Sequence, residues 1–352
     1  MSSQEIVFDC NILGLQRFGG VSSYIARIAD GISQLGQSPR LIRPHMVIYQ
    51  GPKRKELDRM PIAATEIIPA RVAQYMSAQG VSVNSIFHSP YYRIPEKPVE
   101  KYVVTVHDFT YERFRKGFPR FLHTTLKARS ILAADVVICI SESTKKDVLE
   151  FVPRIDAKKI CVIPHGVDTK QFFADPLEHQ PELARTVLFV GQRAGYKRFD
   201  LAVETIAKLP DLRLGIIGPN LLPEEHRKLE NMLPRRWTCF GPVSDDQLRQ
   251  LYSSAFAFLF PSDYEGFGLP MLEAMACGCP IVASKTVALQ EIGGDAAVYA
   301  EDQKVDAYLS AFSQLSASTI RASLLTSASQ IVESLKWENT VAMHHKAYFH
   351  NF

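Results

Sequence analysis

Glu265 and Glu273 stand eight positions apart in the stretch DYEGFGLPMLEAMACGCP, Asp263 to Pro280, around a GFGLP turn. Two carboxylates at this spacing could be an acid and base pair flanking a glycosidic bond. They could also be two acceptors gripping the hydroxyls of one ligand. What lies between them separates these chemistries. The apolar run FAFLF before the turn reads as a strand, the run MLEAMACG after it reads as a helix, and Pro270 suits a first helical position. At such a junction the amides of Gly268 and Leu269 point at an anion near the positive helix end, which suits a pyrophosphate. Glu273 then falls in the first helical turn, where it cannot help bind phosphate but can accept both hydroxyls of a ribose. Glu265, on the turn, reaches a sugar beyond the phosphates. The simpler alternatives are a helix-dipole role for Glu273 and a solvated loop position for Glu265.

Elements that would position these groups recur along the chain. Short β-branched or aromatic runs alternate with segments of helical spacing, an order that argues for parallel sheets covered by helices on both faces. IVFDC, RLIR, SIFHS, YVVTVHD, DVVICIS and KICVIP are the expected strands of the first half. TVLFVG, LRLGIIG, WTCFG, FAFLF and PIVAS are those of the second, where SDDQLRQLYSSA is a typical intervening helix. The stretch from His165 to Arg185, with turn residues, prolines and little periodicity, reads as a linker, with a boundary near Val167. Two doubly wound domains joined there create a cleft, and ligands gather at the carboxyl ends of such strands.

The 352 residues suit two domains, and 46% hydrophobic with 22% charged residues is the balance of a globular protein. The apolar runs are far shorter than the roughly 20 residues of a membrane-spanning helix, and the first residues lack a signal pattern, so a cytoplasmic protein is expected. Cys10, Cys139, Cys161, Cys239, Cys277 and Cys279 lie mostly within apolar runs without a C-x-x-C pair and read as reduced core thiols. No metal is expected at Cys277 and Cys279. Residues 1–170 hold 24 Lys and Arg against 16 Asp and Glu, whereas the remainder holds 16 against 21, so the front half is the basic one.

EGFGLPMLEAMACGCPIVAS resembles the glutamate pair, with seven residues between, of the retaining glycosyltransferases of family 4. The resemblance implies an α/β fold of GT-B type: two doubly wound Rossmann-like domains facing a central cleft. Residues 1–167 with 337–352 would bind the acceptor, and 168–336 the nucleotide sugar. The terminal LKWENTVAMHHKAYF resembles the family helix that returns to the first domain, and ISESTKKD, capped by Ser141, its last strand-helix unit. Donor contacts would come from Glu265, Gly266, Phe267, Gly268, Leu269 and Glu273. RFGGVSSY is similar to the family's glycine pair near the donor phosphate and acceptor, which adds Gly19 and Gly20; taken alone, that pair reads as a tight turn. YVVTVHDFTY resembles the strand end where the family has a histidine facing the donor sugar, so His107 would bond a sugar hydroxyl while Asp108 caps or orients. A strand-end histidine alone is more often structural. LFVGQRAGYKRFDLAVE resembles the segment whose cations hold the donor diphosphate, here Arg193 and Lys197. The family pattern has its Arg directly after the Gly, a place held here by Gln192, which leaves Lys197 the firmer match. Arg198 reads as a solvated basic residue.

His107, Glu265, Arg193 and Lys197 thus form the expected catalytic group, without metal or cofactor beyond the sugar nucleotide. The form GQRAGYKRFD is similar to members that use GDP-mannose, with UDP-sugars as the alternative. The resemblance implies a front-face route in which the leaving diphosphate helps take the acceptor proton, and an acceptor that is a glycan or a polyprenyl-diphosphate-linked oligosaccharide. A GT-B epimerase, a phosphorylase or a non-catalytic sugar-nucleotide binder are the rival classes. A dehydrogenase is disfavoured because CNILGLQRFGG lacks the G-x-G-x-x-G spacing. The segment Arg113 to Arg129 carries six Lys and Arg, no acid, and Phe114, Phe118 and Phe121. With PKRK at 52–55 it reads either as a face for an anionic membrane on the inner side of the cell or as a solvated helix face. No nucleic-acid module is recognised.

Overall fold

The computed structural model describes residues 4–16, 19–175 and 180–350. Arg17 and Phe18 of the glycine segment, and positions 176–179 of the expected linker, lie outside the described residues. The chain forms two units, Met1–Gly166 with Trp337–Phe352 and Val167–Lys336.

In the first unit β1 (Glu5–Asp9), β2 (Arg40–Arg43), β3 (Ile62–Thr65), β4 (Ser85–Ser89), β5 (Lys101–Val106), β6 (Val136–Cys139) and β7 (Ile160–Val162) form one sheet. Its order is β3-β2-β1-β4-β5-β6-β7, with every neighbour parallel. In the second unit β8 (Thr186–Val190), β9 (Arg213–Ile217), β10 (Trp237–Gly241), β11 (Ala257–Phe260), β12 (Ile281–Ser284) and β13 (Val298–Ala300) form a parallel sheet of order β10-β9-β8-β11-β12-β13. Central strands such as VVIC and AFLF are apolar at every position because helices cover both faces. β3 and β13 were absent from the expected strands, and each lies at a sheet edge. IAAT is partly exposed and alanine-rich, and VYA is three residues long, so neither carries a strong strand signal.

Helix ends follow their capping chemistry. Ser141 Oγ accepts from Thr144 N at 2.9 Å to start the helix Glu142–Phe151, and Ser244 with Gln247 makes a capping box for Asp245–Ser254. The terminal helix Trp337–Phe349 belongs to the first unit, where Val341, Ala347 and Tyr348 join the core beneath β1 and the helix Gly20–Gln34. All six cysteines are free thiols, and five are buried. Burial pushes the Cys277 thiol up to about 12. Each sheet reverses its strand order once, between β1 and β4 and between β8 and β11. Loops leaving the carboxyl ends at such a reversal are the usual ligand positions of open α/β sheets.

Candidate active site

In the second unit the loops leaving β8 and β11 are tied directly to each other. Asp263 N donates to the Tyr196 carbonyl at 2.7 Å, and Arg198 Nε lies 2.7 Å from Asp263 Oδ2. Arg198, read from sequence as a solvated cation, is thus half of a loop-to-loop ion pair. The tie brings Lys197 Nζ to 2.5 Å from Glu265 Oε1, with only 16% and 13% of the two side chains exposed. The Lys197 ammonium also lies 5.3 Å from the Phe260 ring centre and 5.4 Å from that of Tyr196, within cation–π reach of both.

Gly268 closes the second loop in the left-handed region, at φ 110°, and a Cβ there would approach Leu289 Cδ2 to 2.7 Å. The left-handed backbone is what calls for glycine, since the Leu289 tip can move aside. Because Gly268 is the cap, the helix Leu269–Ala276 begins at Leu269, and Pro270 occupies its second position rather than the first. Glu273 is consequently one turn into the helix, outside the first turn where the sequence placed it. It is half-buried, and after burial itself its carboxylate is the next cause that makes the Tyr252 phenol and the Cys277 thiol weaker acids. Phe267 packs its ring into the interior, so only its backbone can meet a ligand.

Arg193 departs from its expected role. Its Nε sits 2.8 Å from Glu225 Oε1, its Nη1 donates to the Pro219 carbonyl at 2.9 Å, and its Nη2 donates to the Asn220 carbonyl at 2.7 Å. With 5% of its side chain exposed, it braces the β8 loop against the loop after β9 rather than presenting a free cation. Glu225, the partner that fixes this role, lies 32 residues away and has no local sequence signal.

In the first unit His107 follows β5 and is buried, which holds its imidazole down to about 4 and keeps it neutral near pH 7. Its Nε2 has no hydrogen-bond partner among the described residues. The ring packs edge-on to Tyr24 at 4.9 Å and stacks with His165 at 5.7 Å. Asp108 Oδ1 accepts from Thr110 N at 2.8 Å, one residue outside Phe109, the cap of the short helix Thr110–Phe114. Gly19 has extended backbone, φ 174°, and Gly20 is the first residue of the helix Gly20–Gln34, with nothing among the described residues within 4 Å of where a Cβ would stand. A Cβ on Gly19 would lie 2.2 Å from Gln16 Oε1, as the turn reading expects of a position without room for a side chain, whereas among the described residues the space in front of Gly20 is open.

Behind His107 runs a chain of hydrogen bonds whose protons can be assigned. His344 Nδ1 must donate to the Thr340 carbonyl at 2.7 Å, so neutral His344 accepts at Nε2 from Tyr24 Oη at 2.6 Å. Thr105 Oγ1 then donates to Tyr24 at 2.7 Å, and His88 Nε2 donates to Thr105 at 2.8 Å. Tyr348 completes the chain by donating to His88 Nδ1 at 2.7 Å. Burial lowers both histidines well below their usual value, consistent with neutral rings throughout.

The basic stretch is less basic in space than in sequence. Arg113 pairs with Asp147 at 2.5 Å and Glu150 at 3.1 Å, and buried Lys127 pairs with Glu112 at 2.8 Å. Lys53 pairs with Asp30, and Arg54 with Asp58. Arg115, Lys116, Arg120 and Arg129 remain exposed, along with Phe114, Phe118 and Phe121. Among the described residues no helix is long and apolar enough to cross a membrane, and no group of three or more His, Cys, Asp and Glu is placed to hold a metal ion.

Residues 18–171 match the model of Glycosyltransferase Family 4, and 174–327 that of Glycosyl transferases group 1. The chain is 28% identical over 247 residues to O-antigen chain mannosyltransferase B of Escherichia coli, covering 63% of this chain and 62% of that relative. It is 32% identical over 176 residues, 47% of this chain and 45% of the relative, to a GDP-mannose-dependent alpha-(1-6)-phosphatidylinositol dimannoside mannosyltransferase of Mycobacterium tuberculosis. The matches thus span less than two thirds of these relatives' own lengths. Among solved structures, HepE of Anabaena, in complex with UDP and glucose, superposes with a TM-score of 0.74 at 16% identity, covering 97% of this chain and 98% of that one.

Proposed function

The chain belongs to the GT-B glycosyltransferases, and from that premise we propose that it transfers mannose, with retention, from GDP-mannose to a hydroxyl of a glycan or of a polyprenyl-diphosphate-linked oligosaccharide. The observation that carries this reading is the Lys197–Glu265 pair at the strand-order reversal of the second sheet, one short loop from the Gly268 helix start. Without donor, each charge neutralises the other, so neither is buried alone. An entering diphosphate competes for Lys197, turns it from Glu265, and frees that carboxylate to accept hydroxyls of the sugar. Glu273 accepts the ribose hydroxyls. The bond between the anomeric carbon and the diphosphate oxygen then breaks while the acceptor oxygen bonds on the same face, and the acceptor proton passes to the departing diphosphate. Lys197 and the helix amides meet the charge that grows on the leaving group. Arg193 keeps the Lys197 loop in place, and neutral His107, with its open Nε2, donates or accepts one hydrogen bond to a sugar hydroxyl.

The relatives' names favour mannose and GDP, while the HepE complex favours the second reading, a UDP-sugar donor. A panel of GDP- and UDP-sugars, assayed for nucleotide release with and without a polyprenyl-linked acceptor, tests both. Release from GDP-mannose that rises with acceptor is expected, release from UDP-sugars alone moves the donor to the second reading, and release from none sinks transfer. We also propose peripheral docking on anionic lipid through Phe118, Phe121 and the four exposed cations, each cation contributing about 1 kcal/mol. Unchanged sedimentation with anionic vesicles after neutralising Arg115, Lys116, Arg120 and Arg129 would remove that docking face.

A further inference from the structure

Aromatic side chains gather at the carboxyl ends of β4 and β5 in the first unit. Tyr92, just after β4, holds a left-handed backbone at φ 68°, which a bulky residue keeps only where its surroundings impose it. They do so here. The Tyr92 ring is buried 5.2 Å from the Lys127 ammonium, Arg93 N donates to Ser89 Oγ at 3.0 Å, and Tyr102 Oη donates to the Arg93 carbonyl at 3.0 Å. The turn sets Tyr91 and Tyr92 as a tilted pair 5.4 Å apart. His123, from the helix Gly117–Ala133, meets both edge-on at 6.0 and 5.7 Å and stacks on Tyr111 at 4.1 Å, 15° from parallel.

Beneath these rings lies a buried charged floor. Lys127 Nζ is 2.8 Å from Glu112 Oε2, donates to the Asp108 carbonyl at 2.8 Å, and sits 4.3 Å from the Phe109 ring centre. This floor fixes the helix bearing His123 to the segment bearing Asp108 and Tyr111. Above it Tyr91 and Tyr111 stay partly exposed, and among the described residues neither phenol has a hydrogen-bond partner. Half-buried Asp108 uses Oδ1 for Thr110 and keeps its second oxygen for another donor, while exposed Arg115 hangs 5.9 Å from the Tyr111 ring. Tyr91, Tyr111 and His123 thus leave a partly exposed aromatic surface with a carboxylate and a guanidinium at its rim. It matches the two-sided chemistry of a pyranose, whose C–H face lies on rings while its hydroxyls bond charged groups at the edge.

We propose that Tyr91, Tyr111 and His123, rimmed by Asp108 and Arg115, form a stacking platform for a neutral hexopyranose ring of the acceptor. The assignment to an acceptor rests on the transferase reading above, whereas the binding of a pyranose does not. The full chain, without donor, is titrated with methyl α-pyranosides of mannose, glucose, galactose and N-acetylglucosamine and followed by saturation-transfer NMR. At least one should receive saturation at its ring C–H protons. Tyr91→Ala and Tyr111→Ala should each weaken it at least tenfold, while Tyr111→Phe, which keeps the ring, stays within twofold. Tyr91→Leu and Tyr111→Leu, closer in volume, give the same reading if an alanine variant fails to fold. Binding of none of the four sugars by the wild-type chain, or equal binding by the leucine variants, overturns the platform. Nucleotide release reports separately: its absence with pyranoside binding intact overturns transfer and leaves the platform standing.

Discussion

Both sheets reverse their strand order, but the side chains gathered at the two reversals differ in how charge is held. At the first, Asp9 ends β1 against Arg93 at 3.0 Å, with 1% of either side chain exposed, and Glu66 completes the neutralisation. Around it His88, Thr105, Tyr24 and His344 pass neutral hydrogen bonds with every proton assigned. At the second, Lys197 and Glu265, with 16% and 13% of their side chains exposed, form a less enclosed pair close to the start of a helix. A buried, fully partnered network costs several kcal/mol to open, whereas a single ion pair that an incoming anion can reach can exchange one partner for that anion without leaving a charge bare. The first reversal therefore suits a neutral, hydroxyl-rich ligand and the second an anionic one.

The largest expected break in this contrast is at Lys197. Lys197→Ala removes the cation that meets the leaving group, and turnover measured by nucleotide release should fall about 10²–10³-fold. Arg193→Ala, by comparison, should lower the second unit's unfolding midpoint in urea more than it slows turnover, since its bonds all go to Glu225, Pro219 and Asn220. Near-normal turnover in Lys197→Ala would show that the charge of the second reversal is structural too.

Acid should separate the units next. His107 and His344 lie at about 4 in the folded chain against an ordinary 6.5, so the unfolded chain takes up protons first as pH falls. Stability from these neutral rings is complete above pH 6.5 and is lost toward pH 4, at about 1.4 kcal/mol per pH unit for each histidine. The chain has two tryptophans, Trp337 in the first unit and Trp237 in the second. In Trp237→Phe the remaining fluorescence should report a urea midpoint that drops between pH 6.5 and 5, and in Trp337→Phe one that moves less. Equal shifts would erase the contrast. A smaller effect belongs to Glu273→Ala, which should weaken donor binding about tenfold in calorimetry, as hydrogen bonds to a charged group contribute about 1.5–3 kcal/mol. Wild-type affinity would remove the ribose grip.

How much of this was legible in sequence follows from distance along the chain. The donor side was readable because strand, glycine turn and helix run continuously from Ala257 to Ala276, and the apolar strands of both sheets announce themselves by composition. The one-residue slip at Pro270 arose because proline's liking for a first helical position competed with the left-handed cap at Gly268, and the cap set the start. What composition could not give was pairing across many residues. Arg193 and Lys127 read as free cations because Glu225 and Glu112 are 32 and 15 residues away. The platform was invisible for the same reason: Tyr91, Tyr111 and His123 come from three separate segments, joined only by the turn at Tyr92 and the ion pair beneath.

The smallest expected effect on stability is also the one that sharpens the first unit's role. Gly20 opens a helix with ordinary backbone, and among the described residues nothing stands within 4 Å of where its Cβ would project. Alanine there removes glycine's conformational freedom from the unfolded chain, so Gly20→Ala should leave the urea midpoint unchanged or raise stability by about 0.4–1 kcal/mol. If that empty space is kept for a ligand, the added methyl should lower turnover severalfold at the same time. Only a ligand's approach predicts a gain in stability with a loss of activity. A loss of both would mean that the helix start needs glycine for its own fold, and a loss of neither would leave the open space without a chemical role.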